Sequence, residues 1–339
     1  MDEKQRFDLI KRNTQEIVSE EELKELLKKK KKPIVYLGTA VTGRPHIAYF
    51  VWVIKLADFI KAGFRVKVLL ADIHGALDNT PWDVLEQRYK YYSEVIKLMF
   101  KAVEVSLKDI TIIKGSDFQL RKDYIYDVLR MSTISSIHDC QKASSEVVKS
   151  GDNPKLAGLI YPIMQSLDEE YLGVDVQLGG ADQRKIFMFA RENLPKIGYN
   201  ARIEVMNPMV PGLVGKKMSS SDERTKVDLL DDASTIMNKI NGAYCVAGEL
   251  EDNGIMAFLK QVIMVLKSDK GEEFVVKRAE QYGGNLVFKN YEEIEKSFMN
   301  KELHPLDLKK SVAEEIVKLL EPFSKKRKDI EKISKKAYS

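Results

Sequence analysis

The stretch from Pro33 to Ala71 constrains the fold more than any other part of the chain. Ile34-Val35-Tyr36-Leu37 is a short apolar run directly behind a proline, the pattern of a strand buried on both faces. A turn-rich loop follows from Gly38 to Pro45, then an apolar segment of helical length from about Ile47 to Ala62, which Gly63 stops. Val66 to Ala71 makes a second apolar strand. Strand, glycine loop, helix, strand is a βαβ unit, which calls for a parallel sheet with helices over its faces.

The remaining sequence extends this α/β pattern and then leaves it. Ser19 to Lys32 reads as a helix with Ser19 as N-cap and Glu22 completing a capping box, so residues 1–32 are expected to form an N-terminal helical arm. Helical patterns span Trp82 to Val103, Asp123 to Ser150, Pro154 to Leu172 and Asp182 to Asn193. Strands are expected at Ile110 to Lys114, at Asp175 to Leu178 running into Gly179-Gly180, and around Arg202 to Met206. Pro208, Pro211, Gly212 and Gly215 make a loop ahead of Lys217-Met218-Ser219-Ser220-Ser221. Beyond about Asp228 the chain turns mainly helical, which gives an α/β body over 33–227 and a mainly α-helical domain over 228–339.

Composition removes several classes of function. The longest apolar runs are strand-sized, which argues against a membrane protein. Cys140 and Cys245 supply neither a disulfide framework nor a four-ligand zinc site, and with only four histidines no protein-bound metal is expected. The charged start Met1-Asp2-Glu3-Lys4 lacks the apolar core of a secretory signal, so a reducing cytoplasm is the expected location. Net charge is only +4, but basic residues cluster at Lys28 to Lys32 and at Lys325 to Lys336. Such runs suit a polyanionic partner, but charge alone favours the plainer reading of a solvated helix face or terminus.

Two loops carry the candidate chemistry. Ligands of open α/β sheets sit at the carboxyl ends of strands, the place of the loop Gly38-Thr39-Ala40-Val41-Thr42-Gly43-Arg44-Pro45-His46. It is neither a Walker A loop nor Gly-x-Gly-x-x-Gly, but small residues entering a helix can hold phosphate through backbone N–H groups. Lys217 to Ser221 adds one ammonium and three hydroxyls, able to clamp a phosphate as charge develops, or else serves as a plain polar linker. In order and spacing the two loops resemble the signatures of class I aminoacyl-tRNA synthetases. His46-Ile47-Ala48-Tyr49 looks like the His-Ile-Gly-His element and Lys217 to Ser221 like the Lys-Met-Ser-Lys-Ser element. Over nearly the whole chain the resemblance is to the tyrosyl-tRNA synthetases of archaea and the eukaryotic cytoplasm. Tyr161-Pro162-Ile163-Met164-Gln165, Gly179 to Lys185 and His304-Pro305-Leu306-Asp307-Leu308-Lys309 carry it further. Ala48, Tyr49 and Ser220 depart from the usual glycine, histidine and lysine, which leaves His46 and Lys217 to carry more of the phosphate stabilisation.

The resemblance implies a Rossmann-like catalytic domain with a helical insertion at about 117–150, followed by a helical anticodon-binding domain. It implies tyrosine activation by ATP, with Mg2+, and transfer to tRNA(Tyr), with His46, Lys217, Ser219 and Ser220 as the catalytic set. ATP would contact Gly38, Thr39, Ala40, Gly43, His46, Ala48, Tyr49, Gly180 and the loop Lys217, Met218, Ser219, Ser220, Ser221. Tyr36 and Asp168 would hold the phenol; Tyr161, Gln165 and Gln183 the α-amino end. His74 either lines the same cleft or is a structural histidine. Tyr161, Gln165 and Asp168 fall at i, i+4 and i+7, one helix face, and Asp168 can accept from a phenol to which Tyr36 can donate. A pocket built to pair a hydroxyl rejects phenylalanine, and tyrosyl-tRNA synthetases are themselves the reference case, at about 10⁵-fold without editing.

For the tRNA, the resemblance points to Lys142, Arg184 and Lys185 at the acceptor end and to Tyr282, His304 and Asp307 at the first anticodon base. It also implies a homodimer paired through the inserted segment, and the extra C-terminal module of some eukaryotic relatives is expected to be absent. Three other readings stay open: a tryptophanyl-tRNA synthetase, a catalytically dead relative acting as an RNA-binding or signalling protein, and an unrelated nucleotidyltransferase.

Overall fold

The computed structural model describes residues 1–148, 153–212 and 226–338. Six strands form one sheet: β1 (Glu16–Val18), β2 (Ile34–Ala40), β3 (Arg65–Ala71), β4 (Ile110–Lys114), β5 (Val176–Gly180) and β6 (Ile203–Asn207). Their order across the sheet is β1-β6-β5-β2-β3-β4, and every pair but β1–β6 is parallel. The chain builds outward from β2 to β3 and β4, then returns to lay β5 and β6 on the other side. The order therefore reverses between β2 and β5, the place where the loops of an open α/β sheet diverge and leave a crevice.

Ten helices accompany this sheet: α1 (Glu3–Lys11), α2 (Glu20–Lys29), α3 (Phe50–Lys61), α4 (Asp72–Leu77), α5 (Leu85–Ala102), α6 (Ser116–Gln119), α7 (Lys122–Ser132), α8 (Ile137–Ser144), α9 (Ala157–Tyr171) and α10 (Arg184–Asn193). The helix α3 is nearly all apolar because both of its sides are covered; Phe50, Val53, Leu56 and Phe59 are fully buried. The central strand β2 opens on an apolar run, Ile34 to Leu37, for the same reason.

The first 32 residues depart from the expected helical arm. Glu16–Val18 is a strand that pairs antiparallel with β6, covering that edge of the sheet. Ser19 does cap α2, accepting from the Glu22 N–H at 3.1 Å, but the Glu22 carboxylate pairs with Arg191 at 2.9 Å. The helix expected over Asp123 to Ser150 is two, α7 and α8, because Ser136 starts a new N-cap by accepting from the Asp139 N–H.

From Ala233 onward the chain adds α11 (Ala233–Asn241), α12 (Gly254–Phe258), α13 (Met264–Lys270), α14 (Tyr291–Met299), α15 (Pro305–Leu319), α16 (Glu321–Lys325) and α17 (Arg327–Ala337). A hairpin of β7 (Phe274–Val276) and β8 (Leu286–Phe288) interrupts them, unforeseen because each strand has only three residues. A partly buried charge cluster braces the two halves. Arg12 reaches Asp58 of α3 and, at 2.7 and 2.9 Å, Asp269 of α13, while Lys55 donates to Asp58 and to the Ile10 carbonyl.

Candidate functional site

A cleft of about 450 Å³ opens at the carboxyl ends of β2, β5 and β6. The carboxyl-terminal half of β2, Tyr36 to Ala40, runs along it. Tyr36 is fully buried at its floor, and Gly38, Thr39 and Ala40 follow at the mouth. From the other side α9 presents Tyr161, Gln165 and Asp168, the face that their i, i+4, i+7 spacing requires. His46, Ala48, Tyr49, His74, Gly180 and Gln183 complete the wall. Thirteen of the residues singled out from sequence thus line one cavity. Gly43 does not; its carbonyl points away toward Tyr92 and Tyr338. Lys217, Met218, Ser219, Ser220 and Ser221 lie outside the described residues.

Asp168 is the chemical centre of the floor. Its Oδ1 accepts from Gln119 Nε2 at 2.8 Å and from Tyr124 Oη at 2.9 Å, and Tyr124 also donates to the Met164 carbonyl. Oδ2 lies 3.9 Å from His74 Nε2. Burial pushes the Asp168 carboxyl up to about 8, against the pull of its two hydrogen-bond donors. His74, also buried, is depressed to about 4 and is therefore a neutral ring. Gln119 Nε2 faces His74 Nδ1 at 3.3 Å, so the same amide meets both Asp168 and the imidazole. The His74 ring stacks edge-on against Tyr161, centroids 4.6 Å apart, so it belongs to the pocket wall and to the packing at once.

Tyr36 Oη makes only a long bond, 3.4 Å, to the Gln165 carbonyl. Gln165 Nε2 donates to Gln183 Oε1 at 3.1 Å, linking α9 to the turn before α10. Close backbone approach sets that turn. A Cβ on Gly179 would come within 2.5 Å of the Phe187 ring and 3.1 Å of Gln183 Cγ.

At the mouth, His46 caps a single helical turn, Ile47–Tyr49. The Ile47 N–H donates to the Val227 carbonyl at 3.2 Å, and His46 bridges to Asp228, so the first loop is tied to the strand-like segment emerging from the serine loop. Burial, with help from the Lys226 charge, lowers His46 to about 4. In the ligand-free protein this imidazole is therefore neutral at physiological pH.

The sequence did not point to Gln119 or Tyr124, which support the cleft from behind, or to Asn207 in its wall. Gln119 and Tyr124 fix Asp168 from α6 and α7, more than 40 residues away, with no local signal. Asn207, at the end of β6, lines the cleft nearly buried with neither side-chain polar atom paired. Its place at a strand's carboxyl end was the only available signal.

Among the tRNA candidates, Arg184 is held by Glu16 at 2.8 and 2.9 Å and Lys185 by Ser145 and Glu146, while Lys142 is exposed. Tyr282 is 66% exposed. His304 is the N-cap of α15, its Nδ1 accepting from the Leu306 N–H at 3.2 Å, with Asp307 in the first turn. The segments of Tyr282 and His304 are joined by Arg278, which donates to the carbonyls of Gly284 and Glu302. The lysine run is largely a solvated helix end: Lys28 and Lys29 pair with Glu25, and Lys30 with Asp175.

Residues 28–321 match the family described as tRNA synthetases class I (W and Y). A tyrosine–tRNA ligase of Haloarcula marismortui is 42% identical over the whole of this chain and 98% of its own length. The chain belongs to the class I tRNA synthetases, on their tyrosyl branch. The cytoplasmic tyrosine–tRNA ligase of Danio rerio is 49% identical over 98% of this chain, which spans 63% of that relative's length. The crystal structure of an Archaeoglobus fulgidus tyrosyl-tRNA synthetase complexed with L-tyrosine superposes with a TM-score of 0.89 at 37% identity, covering 96% of this chain and 99% of that one. The cleft of this class I chain thus lies where the synthetase sheet reverses its strand order. Among the described residues, no group of three or more His, Cys, Asp or Glu is arranged to hold a metal, and no helix is long and apolar enough to cross a membrane.

Proposed function

We propose that this chain is a cytoplasmic tyrosine–tRNA ligase that activates L-tyrosine with ATP, entering with its Mg2+, and transfers it to tRNA(Tyr). The observation that carries this is the pair at the cleft floor: a buried carboxyl held on one oxygen by Gln119 and Tyr124, beside the buried phenol of Tyr36. Oδ2 of Asp168 is then left for a substrate hydroxyl, with Tyr36 opposite to donate. An indole offers only one donor and leaves Tyr36 without a partner, which disfavours tryptophan.

Gln165, Gln183 and Tyr161 take the α-amino end, and the loop from Gly38 to Tyr49 takes ATP. The tyrosine carboxylate attacks the α-phosphate and pyrophosphate leaves; the ribose hydroxyl of the terminal adenosine then attacks the carbonyl of the resulting mixed anhydride, and AMP leaves. No side-chain nucleophile is required. The protein positions the reactants and stabilises the phosphoryl transition state, with His46 and Lys217 as the groups that meet the phosphate. Lys142, Arg184 and Lys185 meet the acceptor end of the tRNA, and Tyr282, His304 and Asp307 the anticodon. Residues 33–227 form the catalytic domain and 228–339 the anticodon-binding one. A homodimer is favoured by the apolar surface of the insertion, where Ile125, Tyr126, Leu129 and Ile137 are exposed.

Single-turnover adenylate formation tests the roles. Lys217→Ala and His46→Ala should each slow it about 10²- to 10³-fold while tyrosine affinity stays within a few-fold. Equal loss of rate and affinity would remove both residues from the transition state.

A further inference from the structure

The first loop is held from behind by side chains that the reaction scheme does not use. Gly43 O accepts hydrogen bonds from Tyr92 Oη and, at 3.0 Å, from Tyr338 Oη. The neighbouring Thr42 carbonyl accepts from Arg88 Nη1. Arg88 in turn donates through Nε to the Ala337 carbonyl at 3.2 Å and lies 4.9 Å over the Tyr338 ring, while Tyr91 meets that ring edge-on at 5.4 Å. Two consecutive carbonyls are thus anchored to α5 and to the residue that follows α17.

The geometry brackets His46. Tyr92 Oη touches Gly43 on one side and lies 3.5 Å from Tyr49 Oη on the other, and the Tyr49 ring stands edge-on to His46 at 5.4 Å. Gly43 loosens the backbone of the loop that follows β2, so external anchors help to decide which of its conformations is populated. Thr42, His46, Ala48 and Tyr49 face the cleft while their neighbour Gly43 faces the anchors.

We propose that Tyr338, Arg88 and Tyr92 form a latch on the Thr42 and Gly43 carbonyls, with Tyr338 a positioning residue for the ATP half of the site. The proposal rests on the reading of this cleft as an ATP-dependent ligase. Loosening the latch leaves the loop in more conformations, of which only some accept ATP, so apparent ATP affinity falls by the competent fraction. Tyrosine binding is spared, because Tyr36, Gln165 and Asp168 stand on β2 and α9 and make no contact with the latch.

Tyr338→Phe keeps the ring on Arg88 and removes only the hydroxyl. In ATP–pyrophosphate exchange at saturating tyrosine, KM for ATP is expected to rise about 3- to 10-fold, the range for one lost hydrogen bond, with KM for tyrosine within twofold. Amide exchange of the ligand-free protein over residues 41–49, where Ile47 N–H and Tyr49 N–H are bonded, is expected to quicken several-fold. Lys332→Ala, exposed on α17, should change neither. An unchanged KM for ATP with unchanged amide exchange would overturn the latch, as would an equal rise in both KM values. If the parent protein gives no tyrosine-dependent exchange, the ligase reading fails, and the amide exchange alone still decides whether the latch exists.

Discussion

Asp168 occupies a site that costs the fold stability. A buried carboxyl raised to about 8 binds a proton more tightly folded than unfolded, so its contribution to stability is greatest below the ordinary carboxylate range and is lost as pH rises toward 8. Asp168→Asn keeps the shape and removes the charge. It is expected to stabilise the ligand-free protein by about 1–3 kcal/mol at pH 8 and by little at pH 4, read as a widening gap between thermal melts. The same change should abolish preference for tyrosine, a trade of stability against function. His46 and His74 act in the opposite direction. Both are depressed to about 4, so the unfolded chain takes up their protons first, and stability falls as pH drops from about 6.5 to 4. Replacing both with asparagine should flatten that limb of a pH–stability profile; an unchanged slope would show that these rings are not the groups titrating. At this scale the pocket residues were legible because function had placed polar side chains at i, i+4 and i+7 on an apolar helix. Gln119 and Tyr124 were not legible, since only the packing of α6 and α7 beneath α9 brings them to Asp168.

Among the elements, the join between β5 and α10 is the tightest point of the site. The Gly179 backbone leaves no room for a Cβ against Phe187, and Gln183 stands on the turn that this contact sets. Gly179→Ala should push α10 off the sheet, raise KM for tyrosine about tenfold through a displaced Gln183, and lower stability by about 1–3 kcal/mol as an overpacked contact. Full tyrosine affinity in that variant would mean that Gln183 does not depend on the close approach. The βαβ unit was legible because its central strands β2 and β3 are largely apolar and buried in a parallel sheet. Glu16–Val18 was not: three residues with no alternation form a strand only because the β6 edge offers them partners. The break between α7 and α8 hangs on one capping serine in an otherwise continuous helical pattern.

The whole molecule joins a sheet-based cleft to a helical half through the Arg12–Asp58–Asp269 cluster and through α17 lying on α5. Its inserted helices leave an apolar face that a single chain does not cover. Leu129→Glu combined with Tyr126→Glu should convert a dimer to monomers in sedimentation velocity; dimers that persist would place the interface elsewhere. Family and fold were readable at this scale from motifs spread in order along the chain. The bracing of the first loop by Tyr338 was not, because it joins residues 295 apart in sequence. The central claim is that a buried Asp168–Tyr36 pair makes this cleft a tyrosine-activating site, and ATP–pyrophosphate exchange with each of the twenty amino acids, run on the parent protein and on Asp168→Ala, tests it most directly. Exchange with tyrosine alone, lost or spread to phenylalanine in the variant, is the expected result; no exchange with any amino acid from well-folded protein, or tyrosine selectivity unaltered by Asp168→Ala, would contradict it.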